Sequence, residues 1–123
     1  MIALDTSSYA RYLDGVDEED TRAVDLALQN QSAAFPPVVL TELLSNRRMP
    51  GAVRDITARV PLLPIFDGYW ERAGRLRAKL LSEGRKAFLA DCLIAQSCID
   101  HVVPLITHDR DFRHFAKAGL KLL

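Results

Sequence analysis

The stretch Met1-Ile2-Ala3-Leu4-Asp5-Thr6-Ser7 passes from a short apolar run to three helix-capping residues within seven positions. An apolar run of that length, ended by Asp, Thr and Ser, reads as a buried strand feeding a capped helix, here through about Leu13, where Asp14-Gly15 breaks it. Asp17-Glu18-Glu19-Asp20 then makes an acidic helix start, and Val24, Leu26, Ala27 and Leu28 give the apolar side of a second helix ending near Gln31. Ser32 to Phe35 predicts a brief strand. Pro36-Pro37 cannot donate to a ladder but can open a helix, so Val38 to Asn46 is expected to be a buried one.

A further helix is expected from Pro50 to about Arg59, followed by a proline-flanked strand at Pro61-Leu62-Leu63-Pro64-Ile65. Between Asp67 and Glu83, Trp70, Ala73, Leu76, Leu80 and Leu81 recur at helical spacing, and Gly84 ends the run. Ala87 to Asp100 predicts another buried helix. Val102 to Thr107 reads as a strand, Asp109 to Ala118 as a short helix, and Leu120-Lys121-Leu122 as a terminal strand. Strands alternate with helices, which predicts an α/β fold with a mostly parallel sheet of about five short strands.

The chain has 123 residues, enough for one domain (1–123) with its own core, and it shows no repeat or low-complexity tract. No apolar run approaches the length of a membrane span, and the opening lacks the basic head and long apolar stretch of a signal peptide, so a cytoplasmic location without membrane contact is expected. Cys92 and Cys98 lie six apart in one predicted helix, point in different directions and are expected to be buried thiols. Sixteen basic residues balance sixteen acidic ones, so any contact with nucleic acid must come from local clusters.

Four acids stand among apolar neighbours. Asp5 follows Ile2-Ala3-Leu4; Glu42 lies in Val38-Val39-Leu40-Thr41-Glu42-Leu43-Leu44; Asp91 lies in Phe88-Leu89-Ala90-Asp91-Cys92-Leu93-Ile94-Ala95; Asp109 follows Leu105-Ile106-Thr107. Burying an ionised carboxylate without a partner costs several kcal/mol, so each such group must be protonated, paired with a base or bound to a cation. Helix capping accounts equally for Asp5 and Asp109, and an arginine could satisfy Glu42 or Asp91. In an open parallel α/β sheet, however, ligands gather at the carboxyl ends of the strands, where Asp5 and Asp109 both fall. Hard oxygen donors grouped there would select Mg²⁺ or Mn²⁺.

At these residues the chain resembles the PIN-domain nucleases, and within them the VapC-type toxins of toxin-antitoxin pairs. Ile2-Ala3-Leu4-Asp5-Thr6-Ser7 is similar to that family's first strand and acid, Val39-Leu40-Thr41-Glu42-Leu43 to its glutamate helix, Ala90-Asp91-Cys92-Leu93-Ile94-Ala95 to its aspartate helix, and Thr107-His108-Asp109-Arg110-Asp111-Phe112 to its last motif. The order and spacing of these motifs cover the whole chain. Ser45, three positions after the glutamate, is the small residue often found there. Cys92 departs from the family's common alanine without touching a proposed ligand.

The resemblance implies a three-layer PIN fold, a homodimer, endonucleolytic cleavage of RNA dependent on Mg²⁺ or Mn²⁺, and inhibition by a small antitoxin protein. It makes Asp5, Glu42, Asp91 and Asp109 the catalytic set, with Asp5, Asp91 and Asp109 as metal ligands and Asp111 as a possible addition that could instead cap the short helix. Thr6 and Thr107 are expected to turn neighbouring carboxylates or to cap helices. Arg110, beside Asp109, is the first candidate for a phosphate contact, ahead of Arg11, Arg47, Arg48, Arg85, Lys86 and Arg113. Tyr9, Tyr12, Tyr69 and Trp70 are expected in the core or a subunit contact rather than under bases. His101, His108 and His114 lack zinc spacing with either cysteine and are given no chemistry.

Two other fold families that place aspartates at strand ends fit less well. A phosphatase of the haloacid-dehalogenase kind needs a second aspartate two positions after the first, where this chain has Ser7. A response-regulator receiver needs an acidic pair after the first strand and a lysine after the last, and neither is present. The remaining alternative is a noncatalytic PIN-scaffold module that binds RNA or protein.

Overall fold

A computed structural model describes all residues, 1–123. Three parallel strands, β1 (Ile2–Leu4), β2 (Ala33–Ala34) and β3 (Leu105–Ile106), form a sheet in the order β2-β1-β3. Ala3 pairs with Ala34 on one side and Leu105 on the other, so β1 is the central strand. Central strands of parallel sheets are covered on both faces, which is why Ala3 and Leu4 are apolar without alternation and fully buried. The expected α/β class is observed, with helices flanking a parallel sheet.

Of about five expected strands, three form ladders and two shrink to single parallel bridges, Phe35 with Leu62 and Leu105 with Leu122. Pro61 and Pro64 explain the first. Phe35 N–H donates to the Pro61 carbonyl at 2.8 Å and Leu63 N–H to the Phe35 carbonyl at 2.9 Å, but neither proline has an N–H with which to extend the ladder. At the opposite edge Leu105 exchanges bonds with Lys121 and Leu123 only. The strand expected over Val102 to Thr107 also shortens, because Val102 and Val103 close the preceding helix and Pro104 lacks an N–H.

The helices are α1 (Thr6–Leu13), α2 (Glu19–Gln29), α3 (Pro37–Leu44), α4 (Gly51–Ala58), α5 (Tyr69–Ser82) and α6 (Leu89–His101), followed by a 3-10 helix at Arg110–Ala118. The buried face of α5 is Tyr69, Ala73, Leu76 and Leu80. Trp70 and Leu81, read from sequence as part of that face, are exposed, because one step along a helix turns a side chain through about 100°. Tyr9 and Tyr69 are buried with their hydroxyls bonded to Thr57 Oγ1 and the Leu93 carbonyl. Both cysteines are buried and free, as expected.

The helix α6 is buried over most of its length, and it is fixed against α5 by a charged contact. Arg72 donates through Nη2 to Asp100 Oδ2 at 2.6 Å and through Nε to Oδ1 at 3.0 Å, while Gln96 also donates to Oδ1. Burial raises the Asp100 carboxyl, but these hydrogen bonds outweigh it and hold the group below the ordinary carboxylate range. At its end α6 closes on Val102, which has φ of +53° and is 71% exposed. A β-branched residue in the left-handed region is strained by about 1–2 kcal/mol. Val102→Gly is therefore expected to raise the melting temperature by a few degrees, net of glycine's greater freedom in the unfolded chain. An unchanged or lower melting temperature would show that the exposed Val102 side chain contributes more than its strain costs.

Candidate metal and catalytic centre

The parallel sheet carries Asp5 off the end of β1 and Thr107 to Asp109 off the end of β3, side by side: Asp5 N–H donates to the Ile106 carbonyl at 2.9 Å. Asp5 is only 4% exposed, and it occupies the position before α1 without capping that helix. Its Oδ2 instead accepts the hydroxyls of Ser7 at 2.7 Å and Thr107 at 2.8 Å, and its other oxygen takes no hydrogen bond from the protein. Capping therefore does not explain Asp5. Asp109 does cap: its Oδ1 accepts Asp111 N–H at 2.9 Å, and its own N–H donates to Thr107 Oγ1 at 3.0 Å. One oxygen remains free of protein hydrogen bonds.

Glu42 corrects the sequence reading in one respect. It is exposed, because α3 buries Val39 and Leu43 and turns position 42 off that face, so the apolar neighbours in sequence do not surround it in space. Its Oε1 accepts the Thr6 hydroxyl at 2.7 Å across from α1. Thr6 and Thr107 thus hold carboxylates rather than cap helices. Ser7, which sequence reasoning passed over, does the same for Asp5 and accepts His108 N–H at 3.1 Å, tying the two strand ends together. A serine two residues after an aspartate at a strand end was the available signal.

Asp91, in the first turn of α6, is partly buried and faces the other acids. Burial and then the charges of Asp109, Asp5, Glu42 and Asp111 push its carboxyl up to about 6. None of these five acids forms a salt bridge. The concentration of negative charge around Asp91 thus has no cationic partner from the protein, and its donors are all hard oxygens, the set that suits a divalent cation of the magnesium type. The five do not close to mutual contact: no three of them form a group with ligand atoms all within 4.8 Å of one another.

One group that does meet that distance is Glu18, Asp20 and His108, but Arg11 already pairs with both of its carboxylates. Arg11 bonds both Glu18 and Asp20, and Ser8 donates to Asp20 at 2.8 Å. Burial lifts the Asp20 carboxyl, yet the bonds from Arg11 and Ser8 prevail and keep it below its usual value. Arg11 is therefore withdrawn from the candidate phosphate contacts. Arg110 and Arg113 are exposed and line an open cavity of about 400 Å³ with Thr107 and Asp109, and exposed Arg48 lines another of about 510 Å³ with Thr6 and Glu42. Of the four aromatics considered, only Trp70 is largely exposed, edge-on to Tyr69.

The family profile described as PIN domain matches residues 2–118. The chain belongs to the PIN domain family. Two solved structures share the PIN fold seen here. VapBC-5 from Mycobacterium tuberculosis, a member of the VapBC family of toxin-antitoxin systems, superposes with a TM-score of 0.67 at 23% identity, covering 99% of this chain and 98% of that one. VapBC2 from Rickettsia felis, bound to a DNA fragment from its promoter, gives 0.76 at 21% identity, covering 100% and 98%. A comparison with curated protein sequences finds no match. In this PIN domain no helix is long and apolar enough to cross a membrane.

Proposed function

We propose that this PIN domain, spanning residues 1–123, is a metal-dependent endoribonuclease and the VapC-type toxin of a toxin-antitoxin pair. The observation that carries the reading is the set of five acids, Asp91 and the four around it, free of salt bridges and gathered where two adjacent parallel strands run out into Asp5 and Asp109. Asp5, Asp91 and Asp109 would hold Mg²⁺ or Mn²⁺, with Asp111 as a further candidate. Such an ion supplies, when bound, positive charge for the phosphate and a more acidic attacking water.

The protein's own groups do the rest. Ser7 and Thr107 fix one oxygen of Asp5 and leave the other for the ion. Thr6 fixes one oxygen of Glu42, leaving the second to orient the attacking water or take its proton. Arg110 stands next to Asp109 to meet a flanking phosphate. The likeness in fold to the VapBC structures supports an antitoxin partner, and exposed Trp70 and Phe66 are assigned to contact between two copies of the chain. A cytoplasmic location follows from the same reading.

Attack by an activated water leaves products with a 5′-phosphate and a 3′-hydroxyl. Purified protein incubated with structured RNAs and Mg²⁺ or Mn²⁺ is expected to give such ends and to stop on chelation. A 2′,3′-cyclic phosphate would instead identify the RNA's own 2′-hydroxyl as the nucleophile and overturn this mechanism. RNA retained without cleavage under every metal condition would favour the noncatalytic binding module.

A further inference from the structure

We infer that Phe88 is a stacking platform for a nucleobase beside the scissile phosphate, an assignment that rests on the nuclease reading above. Phe88 is the residue immediately before α6 and Asp91 is the third residue of that helix. In a capping box the side chains at these two positions each reach the other residue's backbone N–H, so Phe88 and Asp91 share one side of the first turn of α6, which puts Phe88 beside the acidic centre. Phe88 makes no capping hydrogen bond with its side chain and is 60% exposed, with Leu89 equally exposed beside it.

The ring is held out by a segment that is itself fixed. Arg85 N–H donates to the Leu80 carbonyl at 3.0 Å, Arg77 Nε donates to the Ala87 carbonyl at 2.8 Å, and Ala87 is buried. Those bonds, with Cys92 N–H donating to the Phe88 carbonyl at 3.1 Å, fix the backbone on either side of the ring. Phe88 and Leu89 together make a contiguous exposed apolar patch beside the acidic centre, and it is contiguity at a site, not a single exposed ring, that marks a contact surface.

The neighbouring charge decides what kind. Arg85 and Lys86 precede the ring, and Lys86 is exposed, so a cation and an aromatic face stand together next to a centre that would cut a phosphodiester bond. Cations for the backbone and a ring for the base, continuous with the cleavage site, are what a single RNA strand requires.

The test compares Asp91→Asn with Asp91→Asn/Phe88→Ala for binding of fluorescein-labelled oligoadenylate in Mg²⁺, read by anisotropy, beside an abasic ribose-phosphate strand. It also compares kcat and KM of the natural chain, Phe88→Ala and Phe88→Trp. Loss of the ring is expected to weaken oligoadenylate binding and raise KM by about five- to a hundred-fold, the range of one base stack, with kcat retained and Phe88→Trp restoring KM. Binding of the abasic strand should not change.

Equal loss on the abasic strand, or a lower mass of Phe88→Ala in sedimentation, would overturn the proposal by making the ring a general or subunit contact. So would an unchanged KM while the natural chain cleaves RNA. If the natural chain neither binds nor cleaves any RNA, the nuclease reading itself has failed, a result distinct from failure of Phe88 alone.

Discussion

Asp5→Asn is expected to lower RNA cleavage by on the order of a thousand-fold while the protein still folds. The asparagine carbonyl oxygen can accept the Ser7 and Thr107 hydroxyls that Asp5 Oδ2 accepts now, so the junction between the ends of β1 and β3 keeps its hydrogen bonds. What changes is the other atom, where an amide NH₂ replaces the oxygen offered to the cation and adds donors where a ligand is needed. Groups that only orient a metal ligand typically cost roughly ten- to a hundred-fold when removed, so Thr107→Val should fall in that lower range. Turnover of a fluorogenic RNA in Mn²⁺, alongside thermal melting by circular dichroism, reads both variants. Cleavage by Asp5→Asn within about ten-fold of the natural chain would remove Asp5 from the metal centre.

The parts of this site that were legible in sequence are those whose cause is local. The turn from Ile2-Ala3-Leu4 into Asp5-Thr6-Ser7 announces a buried strand and a helix, and that alone puts Asp5 at a strand end. The same holds for Leu105-Ile106 and Asp109. Glu42 shows the limit: its apolar neighbours suggested burial, but exposure depends on which side of α3 meets the core, and that is fixed by tertiary packing. Arg11 shows it again. Only the fold brings α1 against the start of α2, where Glu18 and Asp20 take its guanidinium. The outer strands failed for a further reason: proline at Pro61, Pro64 and Pro104 was visible, but how much ladder would survive beside each depended on the strand next to it.

Asp91→Asn should make the metal-free protein more stable, raising its melting temperature by a few degrees above about pH 7 in the presence of a chelator. Asp91 carries a cost when ionised, because burial and the charges of Asp109, Asp5, Glu42 and Asp111 all oppose its negative form. Its folded-state value of about 6 lies above the ordinary 3.8. Between those values the folded chain keeps a proton that the unfolded chain has released, so stability falls as pH rises through that window and the full cost is present above it. Asparagine removes that cost, and the difference between the two proteins should close as pH falls below about 3, where Asp91 is protonated in both states. Divalent cation should reverse the order: Mn²⁺ or Mg²⁺ bound by the folded state raises the melting temperature of the natural chain, and much less that of Asp91→Asn, which has lost a ligand and a charge. A natural chain that outlasts Asp91→Asn in chelator above pH 7 would mean that its carboxylate is satisfied within the protein, and the case for a cation at this centre would lose its physical basis.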